Sequence, residues 1–225
     1  MMANFHPMPE LTSIRIELQY LPNVAYFGAC LKYGEVWLEA HEHYQKQSYR
    51  NRCHILTANG PSTLTVPVQH EGQKTLIKDV KIDYGQKWAV QHWRSLVAAY
   101  AKAPYFEFFA DYFDQVYQKK PVFLFDLNHD LLTTTLKVLQ INPTIQPTQT
   151  YEVPVPSNQF DARGLIHPKK ELSEELWGVQ NKYKQNFGNG FEANLSIVDA
   201  LMCQGPKAKY LLQTSSASGR GENDK

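Results

Sequence analysis

Between residues 88 and 141 the chain carries three consecutive amphipathic helical patterns, each closed by a proline. The first, 88–102, ends at Ala103-Pro104; the second, 105–119, stops before Pro121; the third, 123–141, ends at Asn142-Pro143. Proline lacks an amide hydrogen and clashes with the preceding turn, so these are three separate helices. Upstream, the periodicity is that of strands. Ile14-Arg15-Ile16-Glu17-Leu18 alternates apolar and polar, Val36-Trp37-Leu38 is an apolar run, and 53–57 and 62–68 flank the turn signal Ala58-Asn59-Gly60-Pro61. Residues 75–82 alternate again and predict a further strand. Between the first two strands, Pro22 precedes Val24, Phe27 and Leu31 at helical spacing.

Strands followed by a block of helices predict an α/β or α+β fold: a mixed sheet in the N-terminal part, then a cluster of amphipathic helices. Residues 144–168 are proline-rich and read as a surface crossing. Residues 183–190 and 195–203 close the fold, the latter as a helix capped near Asn194 or Ser196. The expected organisation is a flexible N-terminus at 1–10, one globular domain at 11–213, and a Ser/Gly/charge-rich disordered tail at 214–225.

With 225 residues and 43% hydrophobic content the chain can bury a sizeable core. A net charge of +1 lacks the broad basic excess of nucleic-acid-binding proteins, so no nucleic-acid partner is expected. Three widely spaced cysteines offer neither a disulfide framework nor a zinc motif, which makes the cytoplasm the expected compartment. No apolar run suits a signal peptide or a membrane span. The glycines form no phosphate loop, and no pattern names a cofactor, so cofactors stay unknown.

The segment Lys46-Gln47-Ser48-Tyr49-Arg50-Asn51-Arg52 is the densest local charge. If extended, it places Lys46, Ser48, Arg50 and Arg52 on one face, three cations and a hydroxyl suited to a phosphate or carboxylate. By charge alone it also reads as a solvated strand edge. His92 shares a helical stripe with Trp88, Ser95 and Ala99, beside the core stripe of Ala89, Trp93, Leu96 and Tyr100. There it is either a general base or a hydrogen-bonded core-edge histidine. Glu39, His41 and His43 share one strand face, yet lack a distant third ligand. No metal site is assigned, and Glu39 and His41 are instead expected to orient Arg50 or Arg52 as ion-pair partners. Cys53 reads as a small buried residue rather than a nucleophile, and 126–130 as a polar helix face.

Several of these motifs resemble the WbqC-like family. Tyr20-Leu21-Pro22 with Tyr26-Phe27-Gly28 is similar to its opening motif, and Lys46 to Arg52 to its central signature. Leu64 to Val68, Trp88…His92-Trp93, Ala99-Tyr100 and Ala103-Pro104-Tyr105-Phe106 follow in order. Asp161…Arg163…His167-Pro168-Lys169, Gly190-Phe191, Asn194 to Ile197 and Gly205-Pro206 resemble the Bacteroidetes-type form. Leu18-Gln19 departs from a Gln-Pro found in many members, and Ala40-His41 from an acidic pair. Cys53 matches only the Bacteroidetes-type branch, which argues against an essential thiol. The resemblance implies a part in O-antigen or other surface-polysaccharide biosynthesis, by transfer of a small acyl or glycine-type aminoacyl group.

The leading expectation is therefore a transferase acting on a small-molecule or sugar-linked anionic substrate. Lys46, Ser48, Arg50 and Arg52 bind the anion, His92 deprotonates the attacking group, Glu39 and His41 orient the site, and Tyr20 and Tyr26 stack on the ligand. The alternatives are a non-catalytic module binding a phosphorylated or carboxylated ligand, and a scaffold in which the basic face is paired internally with Glu39, Glu42 or Asp83. Oligomeric state is not legible.

Overall fold

The computed structural model describes residues 11–69, 74–173 and 181–212. The expectations for 1–10 and 214–225 lie outside these residues. Four strands form one parallel sheet: β1 (Ser13–Glu17), β2 (Glu35–Glu39), β5 (Thr144–Pro147) and β6 (Gln159–Asp161), in the order β5-β2-β1-β6. A hairpin of β3 (Arg52–Thr57) and β4 (Gly60–Thr65) stands apart as an antiparallel pair. The helices are α1 (Val24–Tyr33), α2 (Trp88–Tyr100), α3 (Phe106–Lys119), α4 (Leu124–Leu139), α5 (Ile197–Gln204) and α6 (Ala208–Leu211). The architecture is mixed α/β, with the helical cluster following the N-terminal strands.

Parallel pairing of β1 with β2 needs a crossover, and α1 supplies it. Asn23 starts that helix by accepting the Tyr26 N–H on its side-chain oxygen, one of the first-turn donors with no partner inside the helix. Ser196 caps α5 in the same way through the Val198 N–H. Every residue from Ile197 to Cys203 is buried, and α5 packs against α1, α2, α3 and β3 as the central rod.

Two expectations need correction. Residues 75–82 do not form a strand: a 3₁₀ turn (Ile77–Asp79) sits there between isolated bridges, with Ile77 and Ile82 donating to the carbonyls of Glu42 and Val122. Residues 144–168 are not merely a surface crossing, because β5 and β6 lie within them and complete the sheet.

The sheet has one apolar and one polar face. Ile14, Ile16, Val36 and Leu38 belong to the hydrophobic core. The alternate residues Ser13, Arg15 and Glu17 face the register partners Glu35, Trp37 and Glu39, since register partners in a sheet share a face. Alternation in a strand usually marks one solvated face. Here the polar face of β1 is buried as well, beneath the stretches that flank β6, residues 148–158 and 162–170.

Candidate functional site

The segment from Lys46 to Arg52 is not extended. Residues 46–51 form successive turns, Gln47 takes φ 56°, and Arg52 opens β3. Ser48 folds onto the turn, its hydroxyl donating to the Gln45 carbonyl and accepting the Arg50 N–H. Strand alternation therefore does not apply, and Lys46, Ser48, Arg50 and Arg52 do not share a face. Lys46 is exposed, Arg52 is half-buried, and Ser48 and Arg50 are buried.

Arg50 points inward, 1% exposed, and donates through Nε and Nη2 to both carboxylate oxygens of Glu42 at 2.6 Å. Burial opposes both charges. It pushes the Glu42 carboxyl above its usual range, while the Glu42 hydrogen bonds and the Glu17 charge outweigh it at Arg50 and hold the guanidinium charged. Asn128, expected on a polar helix face, is wholly buried and donates to the Arg50 carbonyl. Glu39 and His41 pair elsewhere. Glu39 Oε1 accepts the His41 N–H and the Thr148 hydroxyl, and the His41 ring Nε2 accepts from Lys78 Nζ at 2.9 Å.

A larger constellation gathers at the carboxyl ends of β1 and β2, the edge where parallel sheets characteristically take ligands. Glu17 and Glu39 are register partners there, 1% and 0% exposed. Arg163 donates to Glu39 Oε2 at 2.9 Å, to both oxygens of Asp161, and to the Glu152 carbonyl, and its guanidinium lies over the Tyr151 ring. The bond from Arg163 holds the Asp161 carboxyl below its usual range. Arg15, 3% exposed, donates to Gln159 and to Glu152. Glu17 accepts the Gly164 N–H and the Gln19 side-chain amide, which also donates to the Ile166 carbonyl. Just beyond lies His167, half-buried, its Nδ1 accepting the Lys169 N–H. That bond places the neutral ring's proton on Nε2. Burial and then the neighbouring Lys170 and Arg50 lower the His167 pKa, so the loop carries a positive field.

The WbqC-like protein family model matches residues 19–171. The chain belongs to this family. It is also 28% identical over 223 residues to the uncharacterized protein Rv1507c of Mycobacterium tuberculosis (strain ATCC 25618 / H37Rv), across 88% of this chain and 96% of that one. No solved structure matches.

In this WbqC-like chain the family span takes in Gln19, Glu39, Glu42, Arg50, His92, Arg163 and His167, and begins just after Glu17. His92 sits in an aromatic cluster, 6% exposed, against Trp88 and Tyr20. Its Nδ1 accepts the Tyr20 hydroxyl at 2.9 Å, and Tyr20 in turn bonds the Tyr117 hydroxyl. Burial lowers the His92 pKa to about 4, against the raising effect of its bond to the Thr65 backbone. Tyr20 and Tyr26 are 0% exposed, so neither offers a ring face to solvent. The hydrogen bonds of His92 run to Tyr20 and Thr65, those of Arg50 to Glu42, Ser48 and Asn128, and none joins the two groups. Burial pushes the Cys53 thiol well up, which suits a packing residue. Among the described residues no group of three His, Cys, Asp or Glu is arranged to hold a metal, and no helix is long and apolar enough to cross a membrane.

Sequence reading missed Arg15, Glu17 and Arg163 as members of the constellation, whereas the pairing of Arg50 with Glu42 is one that the scaffold alternative named. The signal existed in the alternation of β1, but only the register with β2 brings Glu17 beside Glu39.

Proposed function

We propose that this WbqC-like protein is a cytoplasmic transferase that moves a small acyl or aminoacyl group during surface-polysaccharide assembly, with its site at the carboxyl edge of the parallel sheet. The observation that carries this reading is the burial of six charged side chains there: Arg15, Glu17, Glu39, Glu42, Arg50 and Arg163, the last with its side chain 8% exposed. Replacing buried ion pairs with apolar groups is often neutral or stabilising. A fold that buries so many at a ligand-binding edge carries them for chemistry.

In this reading Lys46, Lys169, Lys170 and His167 form the outer basic rim that attracts the anionic part of the donor, and Arg50 and Arg52 add to its field. Glu39 and His41 position Arg163 and the covering segment. His92, uncharged at neutral pH, accepts a proton through the Tyr20 hydroxyl rather than by direct contact. The burial of His92 equally favours a second reading, a binding module that uses the same rim without turnover.

Purified protein incubated with acyl-thioester and aminoacyl-adenylate donors and nucleotide-sugar acceptors should yield an acylated sugar by mass spectrometry. Glu39→Gln and His92→Ala should each remove that product, with correct folding checked by circular dichroism. Full turnover in both variants defeats the assignment, and donor binding without product from the wild type selects the binding module.

A further inference from the structure

Glu17 and Glu39 are register partners on one sheet face, yet their surroundings differ in kind. Glu39 has two guanidinium groups, Arg163 Nη1 at 2.9 Å and Arg15 Nη1 at 3.9 Å. Glu17 is as deeply buried, and among the described residues no cation pairs with it. Among the described residues only two neutral N–H donors reach it, from Gly164 at 2.8 Å and from Gln19 at 3.0 Å. A buried carboxylate that no cation touches is costly, and Glu17 has only the more distant charge of Arg50 acting on it.

Two further polar atoms in the same neighbourhood lack partners. Gln19 uses its amide nitrogen on Glu17 Oε1 and the Ile166 carbonyl, which leaves its own Oε1 buried beside the carboxylate with no donor. The Tyr26 hydroxyl is buried with no partner, and the Glu17 charge acts on it, adding to the larger effects of burial and Cys30 that raise its pKa. Both residues are 0% exposed. Among the buried polar atoms without partners, these two stand out because both feel a carboxylate that no cation touches, and there a ligand would complete the set.

From this geometry we infer that Glu17, Gln19 and Tyr26 form a subsite for a protonated primary amine. An alkylammonium carries one positive charge and three N–H donors, and the subsite offers a carboxylate and two free acceptor oxygens. A metal ion fits less well. Calcium takes six to eight oxygens, and magnesium keeps several waters in a rigid octahedron. The inference rests on the carboxyl edge being the functional site and names the amine-bearing substrate as what its inner end recognises. The outer rim of His167, Lys169 and Lys170 then meets the anionic end of a substrate whose ammonium lies inside. Gly164 and Ile166 cover the subsite, so the amine enters beneath the loop 162–170.

The test is binding, independent of turnover. ¹H–¹⁵N NMR of the ¹⁵N-labelled full chain, titrated with methylammonium chloride, should show saturable shifts of the Gly164 amide and the Gln19 side-chain amide. Potassium chloride at equal ionic strength and neutral acetamide should not produce them. Glu17→Gln should weaken methylammonium binding at least about tenfold. Tyr26→Phe, which keeps the ring and removes only the hydroxyl, should weaken it several-fold and serves if the Glu17 variant fails to fold. Absence of saturable shifts in the wild type, equal shifts with potassium, or full affinity in Tyr26→Phe each overturns the amine subsite. None of these results bears on whether the chain catalyses acyl transfer, which the product assay decides separately.

Discussion

Glu42 and Arg50 meet with two parallel hydrogen bonds, and neither reaches solvent. Removing one partner leaves the other charge buried alone, so Arg50→Ala should cost about 3–5 kcal/mol of stability by urea denaturation. Replacing both with apolar residues of similar size, as in Arg50→Met with Glu42→Leu, should return stability to within about 1 kcal/mol of the wild type. A double variant that stays as unstable as Arg50→Ala would mean the charge itself organises the turns around it. His92 makes a prediction in pH. Its folded pKa is lowered to about 4 from an ordinary value of 6.5, so between these values the unfolded chain takes up a proton that the folded one refuses. The stability that His92 contributes is therefore full above pH 6.5, falls as pH drops through this window, and levels off below 4, a loss on the order of 3 kcal/mol. Because other groups titrate there too, the measurement is a difference: the stability gap between wild type and His92→Gln should shrink from pH 7 to pH 4. A constant gap would place the histidine in a solvated setting.

At the scale of elements, the sequence was most legible where the periodicity was long. The three helices at 88–141 appear within a few residues of their proline stops, because a stripe sustained over four turns and a missing amide hydrogen are local facts. The turn at Ala58-Asn59 was equally plain, since Gly60 takes φ 98° where the hairpin closes. Strands β5 and β6 were not legible: each is only four or three residues long, and their identity comes from partners distant in sequence. Residues 46–52 were misread because alternation was assumed where the chain turns. The end of α4 offers a quantitative check. Gln140 adopts the left-handed conformation (φ 57°) with its side chain exposed, a position that favours glycine. Gln140→Gly should raise stability by about 0.5–1 kcal/mol in thermal or chemical unfolding, the relief of left-handed strain exceeding the entropy that glycine adds to the unfolded chain. The reverse holds at Gly205 (φ 61°), whose missing Cβ makes room for the Tyr105 ring; Gly205→Ala should destabilise by well over about 1 kcal/mol.

Across the whole molecule, the arrangement follows from a sheet with two unlike faces. The apolar face packs into the hydrophobic core, which fixes the register of β1 and β2 and so sets Glu17 beside Glu39. The polar face is closed by the stretches on either side of β6, residues 148–158 and 162–170; beside the backbone bonds of β6, Thr148 and Ala162, they are tied to it by Thr148 to Glu39, Glu152 to Arg15, the Gly164 N–H to Glu17, and Arg163 to Glu39. This is why the constellation was invisible from spacing alone, since its members come from two strands and a cover more than a hundred residues apart. The two layers should accordingly differ in stability, because the core rests on extensive buried apolar area, while the cover adds to its polar anchors only a few apolar residues such as Ala162 and Ile166. Arg163 is the anchor with the most contacts, joining Glu39, Asp161, the Glu152 carbonyl and the Tyr151 ring. Arg163→Ala should loosen the cover without melting the core. Limited proteolysis should then cut within residues 148–170 several-fold faster than in the wild type, while the global unfolding midpoint in urea falls by no more than about 2 kcal/mol equivalent. Should cleavage stay at the wild-type rate, Arg163 is not what holds the cover. A collapse of the whole transition together with the cover would show that the polar face is part of the cooperative core.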